Sequence, residues 1–161
     1  MKEEKIITTI HVYQSINELS DDDKSLLLMS QKVAEDAYAP YSNFKVGAAA
    51  KLINGAIITG TNQENASYPV GICAERVLLS TVASIHPNIA VETIAISYHN
   101  LNGISNHPVS PCGICRQSLV EYEERMHHAI RLILSGQEGK VFIIPDASLL
   151  LPLQFKPSDI L

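Results

Sequence analysis

The chain has 161 residues, of which 46% are hydrophobic and 18% charged, with a formal net charge of −5. That composition excludes a disordered chain, and the acidic balance disfavours a protein that grips a nucleic-acid backbone. The length predicts one domain over residues 1–161, built on a single hydrophobic core.

The charged start, Met1 to Lys5, leads into no continuous apolar stretch, which argues against a signal peptide. The longest apolar runs fall far short of a membrane span, so cytoplasm is the expected compartment. Residues 6–13 are β-branched and roughly alternating, which predicts a strand within an N-terminal extension covering residues 1–19. His11 reads there as a surface or edge side chain. Ser20 followed by three aspartates predicts a helix start, because Ser caps free N–H groups and acids favour the positive end of the helix dipole. That helix is expected to reach about residue 37, with Leu26, Met29, Val33 and Ala37 facing the core.

Pro40 ends the helical stretch. Residues 45–53 and 56–61 read as a hairpin around Asn54-Gly55, with both turn residues expected at positive φ. Gly47-Ala48-Ala49-Ala50 is unusually small for a strand and predicts close packing over it. A loop over residues 62–72 precedes a helix from about residue 73 to residue 85, stopped by Pro87. Residues 91–98 read as a central strand and residues 99–110 as a polar loop. A helix from residue 112 carries Leu119, Tyr122 and Met126. Strands at residues 130–134 and 141–144 and a short segment at residues 148–155 complete the chain. The pattern predicts an α/β or α+β sandwich around one mixed sheet.

All three cysteines lie in two short stretches, Cys73-Ala74-Glu75-Arg76 and Pro111-Cys112-Gly113-Ile114-Cys115-Arg116-Gln117. Cys112 and Cys115 are three apart, so on one helix they share a face. Helix N-termini favour thiolates, and two such termini converging on one ion make a sensible zinc site. Three protein ligands leave one tetrahedral position open, as catalytic zinc requires. Zinc acidifies bound water, and Glu75 beside the ligands is placed to carry protons as base and then acid. Arg76 and Arg116 flank the ligands and are expected to offset the excess thiolate charge through hydrogen bonds to sulfur. The competing readings are a disulfide between Cys112 and Cys115, buried free thiols, or a histidine from residues 99–107 closing the site. For Glu75 alone, the bland alternative is a glutamate interacting with the helix dipole.

The joint pattern, Cys-x-Glu followed by Pro-Cys-x-x-Cys, matches the one by which zinc deaminases are known. With Ala39-Pro40-Tyr41-Ser42-Asn43-Phe44-Lys45-Val46-Gly47-Ala48-Ala49, Asn62-Gln63-Glu64-Asn65-Ala66, Tyr68-Pro69, Leu150-Leu151-Pro152 and Phe155, the chain resembles the cytidine deaminase family, specifically its small homotetrameric three-cysteine branch. The resemblance spans roughly residues 37–155. It implies a three-layer α/β/α sandwich around a mixed five-stranded sheet, with the N-terminal extension outside that pattern. It also implies one Zn²⁺ per chain on Cys73, Cys112 and Cys115, and hydrolytic deamination of cytidine and 2′-deoxycytidine with ammonia release, in pyrimidine salvage.

By the same resemblance, Asn62 and Glu64 match the ribose-binding pair and Phe44 lines the pyrimidine pocket. Ala66, Tyr68 and Ala74 lie by the substrate, Phe155 closes the pocket of a neighbouring subunit, and Gln117 joins the two arginines around the ligands. Three features depart from the family pattern: residues 1–19, a long loop at residues 99–110, and Val70-Gly71-Ile72 before Cys73. Deamination of another cytosine-like nucleoside, and a non-catalytic zinc-stabilised binding module, are the alternatives; editing of a polynucleotide is disfavoured by the acidity.

Overall fold

A computed structural model describes residues 1–160. Six strands form one sheet: β1 (His11–Tyr13), β2 (Phe44–Leu52), β3 (Ile57–Thr61), β4 (Val91–Asn100), β5 (Arg131–Ser135) and β6 (Val141–Ile144). Their spatial order is β1-β6-β5-β4-β2-β3. β4 and β5 run parallel and the other neighbours antiparallel, so the sheet is mixed. Three helices cover it: α1 (Asp21–Ala34), α2 (Ala74–Ile85) and α3 (Gly113–Met126).

Successive strand residues point to opposite faces, and this sorts the core into two layers. Ala48, Ala50, Ile94, Ile96, Leu132 and Leu134 pack with Leu78 and Val82 of α2 and Leu119 and Tyr122 of α3. The intervening Ala49, Ala95 and Ile133 pack with Leu26 and Leu27 of α1. The result is the expected α/β/α sandwich with one strand more than the five expected. The sixth is β1, which pairs antiparallel with β6 through His11↔Ile143 and Tyr13↔Val141. It satisfies backbone groups that the β6 edge would otherwise present to water. Strand structure does not extend back to residue 6, since Ile6, Ile7 and Ile10 are exposed and no burial fastens them to the sheet.

Ser20 caps α1 by accepting the Asp23 N–H, and Asp23 in turn makes a two-pronged ion pair with Arg131 at 2.7 Å. The core-facing side of α1 is Leu26, Leu27, Ser30 and Ala34, displaced from the stripe expected from periodicity; Met29 is exposed. The cause lies in β2. Gly47 leaves room for the α1 backbone, and a Cβ there would sit 2.2 Å from the Ser30 carbonyl oxygen and 2.6 Å from the Ala34 nitrogen. The helix therefore rests on the sheet through its small residues. Gly60 in β3 does the same for α2, where a Cβ would meet the Leu78 nitrogen at 2.6 Å.

The β2–β3 hairpin differs from the two-residue turn expected. Only Gly55 has positive φ, at 83°; Gly55 N–H donates to Leu52 O and Leu52 N–H to Ala56 O. This is a three-residue connection with glycine in the left-handed position. Among the described residues no helix is long and apolar enough to cross a membrane.

The Gly47 contact yields a test of the sandwich. Gly47→Ala is expected to destabilise the fold by about 2–3 kcal/mol through overpacking, read as a lowered urea midpoint; an unchanged midpoint would contradict the close-packing account.

Candidate metal centre and substrate pocket

The two cysteine stretches fold into helix starts that face each other. Cys73 is the N-cap of α2 and Cys112 the N-cap of α3, and neither spends its side chain on capping. Cys115 lies one turn into α3 and is fully buried. The three sulfurs all lie within 4.8 Å of one another, with Cys73 Sγ 3.9 Å from Cys112 Sγ and Cys112 Sγ 3.3 Å from Cys115 Sγ. A disulfide needs about 2.05 Å, so the three thiols are free. Tetrahedral zinc with Zn–S near 2.3 Å calls for sulfurs about 3.8 Å apart. The donor set and its spacing fit one zinc ion per chain.

Hydrogen bonding with Cys115 pulls the Cys73 thiol down to about 6, against an opposing push from burial. The same contact, with burial, raises Cys115. Glu75 sits in the first turn of α2 at 5% exposure, and burial raises its carboxyl above the usual range. A carboxyl held that way exchanges protons closer to neutrality, which suits it to general acid–base work.

A cavity of about 420 Å³ opens above the sulfurs, reaching Cys73, Glu75 and Cys112. Its walls are mainly apolar, from Phe44 and Val46 of β2, Ile96 and Tyr98 of β4, and Val109. A second, more open hollow of about 490 Å³ adjoins it, sharing Ser42, Asn62 and Cys73 and adding the polar Gln63, Glu64 and Asn65 with Tyr68. An apolar chamber over the thiols and a polar forecourt thus form one bipartite site. Among the described residues, neither part is lined by Lys, Arg or His.

Asn62 works partly as scaffold: its Oδ1 accepts the Val46 N–H at 2.7 Å and its Nδ2 donates to Phe44 O at 3.0 Å. Its side chain thereby extends the β2–β3 pairing beyond the last strand residue. Glu64 accepts the Tyr41 N–H at 2.8 Å and the Ser42 N–H at 3.3 Å. The Ser42 side chain first, and then these N–H groups, hold its carboxyl below the usual range. Tyr68 is exposed and meets Tyr41 edge-to-face at 6.0 Å; Ala66 is exposed and Ala74 fully buried.

Phe155 lies outside this pocket. It lines a separate hollow on the outer side of α2 and α3 with Arg76 and Gln117, whose Nε2 donates to Phe155 O. Arg116 does not turn to sulfur: Nε donates to Pro111 O at 2.8 Å and one terminal nitrogen to Leu150 O at 2.9 Å. It therefore braces the backbone leading into Cys112. Among the described residues, the Arg76 side chain makes no hydrogen bond to sulfur, and it reaches Cys73 only through its charge.

Tyr98, His107, Val109 and Ser110 belong to the pocket surroundings, a place the sequence does not assign them; His107, one of the histidines that could have closed the metal site, contacts the Tyr98 hydroxyl and is not part of the sulfur cluster. For Tyr98 the signal was its register: it shares the Ile94 and Ile96 face of β4, the face toward the metal site. No comparable periodicity exists in the loop that holds the other three.

Residues 20–129 match the family described as the cytidine and deoxycytidylate deaminase zinc-binding region. The chain belongs to that family. A cytidine deaminase of Mycoplasma genitalium is 42% identical over 119 residues, covering 73% of this chain and 77% of the relative. One from Mycobacterium tuberculosis is 35% identical over 119 residues, covering 72% and 81%. The crystal structure of the Burkholderia pseudomallei cytidine deaminase superimposes with a TM-score of 0.72 at 33% identity, covering 85% of this chain and all of that one. Family membership and the sulfur geometry agree on zinc as the cofactor.

Arg116 offers a test of how the ligands are held. Arg116→Ala is expected to weaken zinc affinity by about 10–100-fold, measured by competition with a chromogenic chelator. Unchanged affinity would show that the Pro111 and Leu150 contacts do not govern the ligand geometry.

Proposed function

We propose that this protein hydrolytically deaminates cytidine and 2′-deoxycytidine, releasing ammonia, with zinc on Cys73, Cys112 and Cys115 and Glu75 as the proton carrier. The observation that carries the reading is a buried carboxylate beside a three-thiol cluster, at the floor of an apolar chamber with a polar forecourt. Zinc held there supplies water acidified toward neutral pH. Glu75 takes a proton from the water that attacks C4 of the base and delivers protons to the ring nitrogen and the departing amine. Its burial keeps the proton exchange away from bulk water.

Phe44 and the apolar walls take the flat base, while Asn62, Glu64 and the neighbouring polar residues take the sugar hydroxyls, with Ala66, Tyr68 and Ala74 at the edges of the bound nucleoside. The family includes deoxycytidylate deaminases by its description, so phosphate recognition is the discriminating feature. A 5′-phosphate carries charge that needs Arg or Lys partners, and the lining residues offer two carboxylates and no cation. The free nucleoside is therefore the substrate class favoured over the nucleotide, and pyrimidine salvage is the setting that suits it.

The reading further takes residues 1–161 as one domain, with residues 1–19 an extension of it, working in the cytoplasm as a homotetramer. Support for the oligomer comes from Phe155, 58% exposed and outside its own chain's pocket, and from exposed Ile114 and Leu153 on the same chain. In this arrangement Phe155 closes the pocket of a neighbouring copy.

Three measurements test the reading. Glu75→Gln is expected to lower kcat for cytidine, followed by loss of the cytosine absorbance, by about 10²–10⁴-fold, with about one zinc per chain retained. Deoxycytidylate is expected to react with kcat/KM lower than deoxycytidine by at least about tenfold. Equal activity of the Gln variant would remove Glu75 from the chemistry; preference for the nucleotide would overturn the substrate class. Light scattering is expected to give the mass of a tetramer, and a fully active monomer would refute the shared pocket.

A further inference from the structure

The loop at residues 101–110, between β4 and the second pair of cysteines, is pinned against the turn that joins β5 to β6. Ser105 is buried; its Oγ accepts the Asn100 N–H at 2.8 Å and its carbonyl accepts the Gln137 N–H at 2.7 Å. A Cβ at Gly136 would sit 2.1 Å from Ser105 O, and one at Gly139 would sit 2.2 Å from Asn106 O. Two glycines thus let two backbones touch, and the loop is seated as a strap.

The strap carries His107 against Tyr98, which lines the substrate chamber. Its Nδ1 lies 3.3 Å from the Tyr98 hydroxyl and its ring meets the Tyr98 ring edge-on at 5.9 Å. Tyr98 is 3% exposed and stacks on Phe44 with centroids 4.8 Å apart and ring planes 10° from parallel. Tyr98 lies opposite Val46 in the β2–β4 pairing, so Phe44 is its diagonal neighbour on the same face. The Tyr98 carbonyl is held as well, by Gln137 Nε2 at 3.0 Å. The base-binding ring therefore rests on a second ring, which the loop fixes by a single polar contact.

We propose that Tyr98 and His107 are positioning residues for substrate: His107 orients Tyr98, and Tyr98 sets the plane and depth of Phe44 against which the pyrimidine lies. The inference rests on the nucleoside deaminase reading and deepens it by assigning the loop at residues 101–110 a part in base recognition. A parallel stack fixes tilt, and the hydroxyl–imidazole contact fixes rotation and depth of the outer ring. In this assignment Tyr98 and His107 act through Phe44 and take no part in proton transfer, so the effect falls on substrate binding and not on the chemical step.

The test uses full-length, zinc-loaded protein carrying Tyr98→Phe, His107→Ala, both together, and His107→Asn, which returns a polar atom near the position of Nδ1. Each single loss is expected to raise KM for cytidine by about three- to tenfold, one net hydrogen bond. The value of kcat should stay within about twofold, with zinc content and Tm at wild-type values. Because both changes remove the same contact, the double variant should be no worse than either single one, and His107→Asn should return KM toward wild type. Wild-type KM in both single variants, additive effects, or a fall in kcat without a change in KM would overturn the inference while leaving the deaminase reading intact. Failure of the wild-type protein to deaminate cytidine would defeat that reading and this inference with it.

Discussion

The site depends on two helix N-termini meeting at one point. Cys73 and Cys112 occupy cap positions, where the chain has not yet closed its helical hydrogen bonds and a side chain stands free at the helix mouth. Cys115, one turn further on, completes a three-sulfur cluster. For the cluster to form, α2 and α3 must lie at matched heights over one face of the sheet. The height of α2 is set by Gly60, whose missing Cβ lets the helix backbone settle on β3. Gly47 plays the same part for α1 on the opposite face.

Around that point the protein separates two environments. Glu75 is buried beside the sulfurs, where desolvation favours the protonated carboxyl. Glu64, in the forecourt, is held ionised by the Ser42 side chain and backbone N–H donors. Two carboxylates of one chain are thus driven in opposite directions by surroundings alone, one suited to proton exchange and the other to accepting hydrogen bonds.

The far end of α3 is tied back to the same centre. Burial pushes the Glu123 carboxyl up to about 7, and the group accepts the backbone N–H of Ile130 and Ala147. Ala147 begins the short 3-10 turn Ala147–Leu150, and the Leu150 carbonyl receives Arg116 next to Cys115. A path of hydrogen-bonded backbone therefore runs from the C-terminal turn of α3 to its N-terminal ligands. It gives the final segment of the chain a share in holding the metal centre, a reason for its place beyond the last strand.

The local signals in the amino-acid sequence determined the sheet's central strands, the three helices and the identity of the three thiols and Glu75. These rest on period-2 and period-3.6 patterning, on Ser20 and Pro87 as punctuation, and on the spacing of Cys73, Cys112 and Cys115, all readable within a few residues. Tertiary structure decided what depends on contact between distant segments. It turned α1 so that Ser30 and Ala34 face Gly47, because backbone approach outweighs side-chain hydrophobicity at that crossing. It added β1 to the β6 edge, since an open edge accepts even three residues of suitable backbone. It sent Arg116 to carbonyls in place of sulfur. It also brought His107 against the hydroxyl of Tyr98, behind the chamber wall, through a loop with no periodicity to read. Residue spacing along the chain selects the ligands, whereas the shape of the pocket follows from which backbones can touch.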